Sequence, residues 1–215
     1  TKNESQYDVF NAYATYKKKF NKVHAFEGMV GFNQENQTYK GVGLSRNNLI
    51  ANDIPFLNLA TGDRTTTDYM NQWAIRGAFF RLFYAYDDKY LVQVNGRYDG
   101  SSRFPKDDRF AFFPTFSLGW RLSQEKFWKP ISHIVNDFKI RGSYGALGNQ
   151  VLSQGGYASY YPYISTYTTG EVGYLFSGEK QMGVYAPGLV SDQLTWETVK
   201  QWDLGFNFSM FDSKL

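Results

Sequence analysis

The chain has no cysteine, so it carries no disulfide framework and no thiolate metal site. It has no apolar run near the roughly 18 residues of a membrane helix. Its formal net charge is only +3 over 215 residues, which gives no electrostatic case for a nucleic-acid partner. The two histidines, His24 and His133, lie far apart with no ligand spacing around either, so neither a metal site nor a cofactor is expected. There is no G-x-S-x-G, no phosphate-binding loop and no dinucleotide fingerprint. Asp87-Asp88 and Asp107-Asp108 read as turn carboxylates, not as a facing acid–base pair. Nothing in the chain points to catalysis. Mean hydropathy is negative. That does not separate a soluble β protein from a membrane barrel, because half of every barrel strand faces a wet lumen.

What the chain has in excess is aromatic residues: 19%, with 17 Tyr and 19 Phe. Strands and membrane-interface girdles both favour them. They are placed with a period of two. Tyr90, Val92, Val94, Gly96 and Tyr98 share one side of a strand, and Leu91, Gln93, Asn95, Arg97 and Asp99 share the other. Phe110, Phe112, Pro114, Phe116, Leu118, Trp120 and Leu122 form one unbroken face opposite Ala111, Phe113, Thr115, Ser117, Gly119, Arg121 and Ser123. So long a one-sided run suits a strand that crosses a bilayer in roughly 9–11 residues.

About seven strands follow this pattern. They are expected at 7–20, 23–33, 69–86, 90–99, 110–122, 138–147 and 195–211, with a bulge near Gly77, where Arg76 and Arg81 fall on opposite parities. Residues 34–68 read as a long loop, with one or two helical turns over 44–51. Residues 124–135 read as a short helix broken by Pro130. The connections alternate between short and long, as in an up-and-down membrane barrel with short periplasmic turns and long outer loops. On that rule the turns at Asn21 and Asp87, the spacer at 126–135 and Asp212 lie inside. The loops 34–68, 99–109 and 148–193 lie outside.

An odd strand count does not close a bacterial barrel. The polar first residues TKNESQYDVF do not read as a secretory signal, and the last strand stops abruptly. The expectation is a segment of a longer chain, with residues 1–215 forming part of one barrel domain that is incomplete at both ends.

Four ordered blocks carry a resemblance: YDDKYLVQVNGRYDGSSRF, FFPTFSLGWRLSQEKF, FKIRGSYGALGNQ and LTWETVKQWDLGFNFSMFDSKL. Together they resemble the SusC/RagA-type TonB-dependent outer-membrane transporters. The resemblance covers about residues 69–150 and 194–215. It implies an all-β fold, namely an antiparallel up-and-down transmembrane β-barrel segment of about seven strands from a 22-stranded barrel whose plug domain is not represented here. It also implies uptake of oligosaccharides or peptides across the bacterial outer membrane, driven through TonB, with a SusD-like surface lipoprotein as lid and outer-membrane lipid around the wall.

Two other readings stay open at this point: a soluble all-β carbohydrate-binding module and an all-β glycoside hydrolase with two facing carboxylates. The aromatic face of 110–122 separates them, since it meets lipid in a barrel and a second sheet in a sandwich.

The candidate residues fall in three places. Asp99, Gly100, Ser101, Ser102, Arg103 and Phe104 could touch substrate or lid. The motif reads first as a structural turn, with Asp99 capping, Gly100 at positive φ and Arg103 paired to Asp107 or Asp108. Gly148, Asn149 and Gln150 close a strand in the same way. The tyrosines of YASYYPYISTY, chiefly Tyr160, Tyr161 and Tyr163, suit stacking on sugar rings or a protein surface as well as they suit packing within the loop. Trp73, Trp120, Trp196 and Trp202 suit membrane interfaces, where Trp is enriched, with core or inter-strand packing as the alternative reading.

Overall fold

A computed structural model describes residues 1–51, 53–151, 153–154, 157–158, 160–191 and 193–211. Six strands come first: β1 (Lys2–Phe20), β2 (His24–Arg46), β3 (Arg64–Tyr86), β4 (Tyr90–Ser101), β5 (Phe110–Arg121) and β6 (Val135–Asn149). Two two-residue strands follow, β7 (Ser153–Gln154) and β8 (Tyr157–Ala158). A hairpin comes next, β9 (Thr168–Phe176) and β10 (Glu179–Tyr185), and the last strand is β11 (Glu197–Met210). The main sheet has seven strands in the order β1-β2-β3-β4-β5-β6-β11, every neighbouring pair antiparallel. Strand order equals chain order except for the excursion between β6 and β11, so the sheet is an up-and-down meander.

The tight turns explain the register. Asn21 and Lys22 have φ of 45° and 61°, and Asp87 and Asp88 have 51° and 53°. Two consecutive residues at positive φ make the primed turn that matches strand twist, and Asn and Asp tolerate it best. These turns and the 3₁₀ segments Leu122–Gln124 and Lys126–Ile131 lie at one end of the sheet. The loops at 47–63, 102–109 and 150–196 lie at the other, called the mouth here.

Register turns the alternation into surfaces. One cross-strand row runs Tyr16, Gly28, Leu82, Val94, Phe116, Tyr144, Trp202. The rows beside it on the same face carry Val30, Phe80, Phe26, Val92, Leu118 and Leu204. This apolar face stays uncovered, with Phe116 43%, Leu118 49% and Leu204 72% exposed. At the turn end it finishes in an aromatic row. His24 lies 5.1 Å from Tyr86, Tyr86 lies 6.4 Å from Tyr90, and Tyr90 lies 6.3 Å from Trp120. Tyr90 and the Trp120 indole both donate to the Glu125 carboxylate, at 2.6 and 3.2 Å. The opposite face carries Glu27, Arg81, Gln93, Asn95, Arg97, Ser117, Lys139, Arg141 and Asp203.

Several expectations are corrected. β2 runs to Arg46 and β3 starts at Arg64, so the loop there is 47–63, not 34–68, and no helix forms over 44–51. Among the described residues of that stretch, the only helical turn is Leu57–Leu59. There is no bulge at Gly77: the β2–β3 ladder is continuous from His24↔Tyr86 to Arg46↔Arg64. The two arginines therefore do face opposite sides, Arg76 on the apolar face and Arg81 on the polar one.

Candidate functional site

The buried centre of the chain lies at the mouth. Phe104 is fully buried and packs against Trp196 and Phe113, with Ala111 and Leu194 around them. The Trp196 ring lies 5.1 Å from Phe104 and 5.3 Å from Phe113, and its indole N–H donates to the Arg109 carbonyl at 2.9 Å.

The motif Asp99–Phe104 builds this centre from the end of β4. Asp99 lies on the polar face and takes two hydrogen bonds from Arg97, both 3.0 Å. Ser101 is fully buried, and its hydroxyl accepts the Arg103 N–H at 3.2 Å. Ser102 adds one rung to the β3 ladder. Its N–H donates to the Ala74 carbonyl and its hydroxyl accepts the Ala74 N–H, both at 2.9 Å. β3 continues past this point and β4 does not, so the serine caps a ladder that would otherwise end on a bare backbone group.

Two details differ from expectation. Gly100 is extended, not at positive φ, and Gly178 is the only glycine with positive φ among the described residues. A Cβ on Gly100 would strike the Phe110 ring of the paired strand. Glycine is required there because an aromatic covers it, and Gly148 sits under Phe113 in the same way. Arg103 is not paired to Asp107 or Asp108. It is buried, with its guanidinium 5.4 Å from the Trp73 ring and 5.3 Å from the Tyr160 ring, and its Nε has no partner among the described residues. Burial pushes this guanidinium down from its usual value, and the two ring faces offset part of the desolvation.

The tyrosine loop and the motif therefore meet, Tyr163 and Ser102 being 61 residues apart in the chain. Tyr160 covers Arg103, and the Tyr163 hydroxyl donates to the Ser102 carbonyl at 3.5 Å. Tyr161 is different. It is exposed and lines a groove of about 410 Å³ with Pro162, Ile164 and Leu189. Asn149 ends β6 and bonds the Glu197 carboxylate at 2.8 Å, while its own oxygen caps Val151 N–H at 2.9 Å. Gln150 follows with its side-chain oxygen buried and unpartnered among the described residues. Of the four tryptophans that suit membrane interfaces by sequence, Trp120 and Trp202 stand exposed on the apolar face, Trp202 at 77%. Trp73 and Trp196 do not: Trp73 is on the polar face, donating to Gln37 at 2.8 Å, and Trp196 is core. Strand parity sets Trp73 apart from the apolar face of its strand, but Trp196 shares the parity of Trp202 on the expected strand 195–211, and nothing in the sequence marks it as core. Among the described residues no group of His, Cys, Asp or Glu could hold a metal ion.

A seven-strand meander with one continuous apolar face and a folded mouth is the wall of a barrel. The family model described as "TonB dependent receptor-like, beta-barrel" matches residues 1–215. The chain belongs to the TonB-dependent receptor β-barrel family. TonB-dependent receptor P3 of Formosa agariphila is 32% identical over 94% of this chain and 20% of its own length. TonB-dependent receptor SusC of Bacteroides thetaiotaomicron is 29% identical over 71% of the chain and 15% of its length. The solved RagAB peptide transporter superposes with a TM-score of 0.84 over 99% of this chain and 22% of that one, at 20% identity, which shows a shared fold. The SusC/RagA-type resemblance of the four sequence blocks agrees with these matches. The chain spans about a fifth of the length of the curated relatives it matches.

Proposed function

We propose that residues 1–215 are part of one barrel domain, incomplete at both ends, in a transporter that imports an oligosaccharide or a peptide across the bacterial outer membrane. The observation that carries this is the uncovered apolar face. From Tyr90 to Tyr98 and from Phe112 to Trp120 it has the roughly 9–11-residue height of a lipid-facing strand. A soluble sandwich would cover Phe116 and Leu118 with a second sheet, and among the described residues nothing does so. The outer edges of β1 and β11 are open in the same sheet, which supports pairing with further strands of a 22-stranded barrel. The short turns then face the periplasm and the mouth faces outside. TonB supplies the energy through parts of the protein beyond this segment, and a SusD-like lipoprotein covers the mouth.

Within this reading the Asp99–Phe104 motif is a scaffold, not a contact surface. Tyr160 and Tyr163 hold the outer loop to it. Tyr161, whose ring meets Tyr163 edge-on at 6.4 Å and lines a groove, is the residue that contacts cargo. The test is accumulation of labelled oligosaccharide and peptide mixtures by cells making the full-length protein. One cargo class should be lost when the gene is deleted and when TonB energisation is removed. Unchanged accumulation of every cargo in both strains would contradict the proposal.

A further inference from the structure

The upper border of the apolar face holds a cation that the barrel reading does not use. One cross-strand row there runs Phe10, Gln34, Arg76, Gly100, Phe110. The row towards the turn end is apolar: Ala12, Phe32, Ala78, Tyr98, Phe112. The row towards the mouth is polar or small: Asp8, Asn36, Ala74. Arg76 thus sits at the boundary between them. Its guanidinium lies 5.5 Å from the Phe110 ring, which in turn stacks 5.3 Å from Tyr98. A cavity of about 290 Å³ opens beside it, lined also by Gln34, Ser102 and Arg109. Neither arginine forms an ion pair among the described residues. The carboxylate on the adjoining row, Asp8, is two strands away.

We infer that this cavity binds the phosphate of a lipid headgroup in the outer leaflet. This rests on the apolar face meeting lipid. Acyl chains lying on Ala78, Tyr98 and Phe112 end at the row of Arg76, so a headgroup is delivered to the guanidinium. A planar guanidinium matches two phosphate oxygens, and a second arginine beside it with the Gln34 amide completes a donor set. Phe110 restricts the Arg76 side chain, which lowers the ordering cost of binding. Anchoring a headgroup here would fix the height of the wall in the bilayer, one row below the protruding strands.

The test is native mass spectrometry of the full-length protein released from vesicles of phosphatidylcholine containing phosphatidylglycerol. The wild type should retain one phosphatidylglycerol in preference to phosphatidylcholine. Arg76→Gln should weaken that retention about tenfold, the loss expected for one charged hydrogen-bonding group. Arg76→Lys should fall between the two and serves if the glutamine variant does not assemble. Equal retention in wild type and both variants overturns the site. Displacement of the lipid by millimolar inorganic phosphate makes it a free-anion site and overturns the assignment to a headgroup. A spin label at Leu118→Cys separates the premises: lipid contact there with no effect at Arg76 sinks only this inference, and water contact at Leu118 sinks the barrel reading as well.

Discussion

β3 is one strand in two surroundings. From Ala78 to Tyr86 its outward residues are Ala78, Phe80, Leu82, Tyr84 and Tyr86, and β4 lies beside it. From Arg64 to Gln72 both of its faces are polar or small for most of the length, and β4 has already ended. The ladder with β2 is unbroken through both parts. In the upper part polar pairs cross the strands: Gln72 to Thr38 at 3.1 Å, Gln37 to Ser5 at 3.4 Å and Tyr69 to Asn3 at 3.4 Å. Backbone pairing thus continues where the outward face keeps only scattered apolar residues, Val42, Leu44 and Met70, whereas the continuous apolar face is confined to the lower part. The mouth motif marks the change: it stops β4, caps β3 through Ser102 and folds the chain onto Trp196.

The largest way to break this division is at the mouth. Phe104→Ala should cost about 3–5 kcal/mol, as for a fully buried aromatic. Thermal unfolding of the full-length protein reads the loss, and protease should then cut at Lys106 or Arg109 in a loop no longer held down. Next is the apolar band. Leu118→Arg should cost about 2–4 kcal/mol near the bilayer midplane. Thr66→Arg, outward on the protruding part of β3, should stay within about 0.5 kcal/mol. Equal costs for Leu118 and Thr66 in denaturant unfolding would erase the distinction between the two parts.

The apolar band was legible in the sequence because a strand with one lipid face and one wet face alternates, and the turn dipeptides mark its ends. The seven strands, their antiparallel order and the alternation of short and long connections follow from that. The protruding parts of β1–β3 were not legible. Gln34–Lys40 and Thr65–Asp68 are polar on both faces apart from Tyr39, so nothing alternates and the stretch reads as loop. The bulge at Gly77 is absent for a related reason: Arg76 stands at the band's edge, where a charge on the outward face is allowed. Within the mouth, the turn character of the motif was visible. The partner of Arg103 was not, since Trp73 and Tyr160 reach it from β3 and from a loop beyond β6, and no local spacing encodes that meeting. Gly100 was read as a positive-φ turn residue, but its role is to lie under Phe110.

Smaller changes sharpen the comparison. Ser102→Ala leaves the Ala74 N–H without its acceptor at the point where β4 leaves β3. About 1 kcal/mol should be lost, with faster amide exchange at Ala74 and little change at Leu82. At the turn end, hydrogen bonds from Tyr90 and Trp120 hold the Glu125 carboxyl below its usual range. A carboxyl depressed in the folded state contributes stability above its unfolded value, lost as pH falls through its folded one. Acidification below about pH 4 should therefore release the Trp120 indole, read by its fluorescence, and Glu125→Gln should remove that pH step. The effect is small, because the group is at the surface.

The most direct measurement places a spin label at Leu82 and another at Gln72 in the full-length protein reconstituted in bilayers. Both positions lie on the outward face of β3. Accessibility to oxygen and to a water-soluble nickel reagent should show Leu82 in lipid and Gln72 in water. The same environment at both positions would contradict a wall whose apolar band ends below the protruding strands.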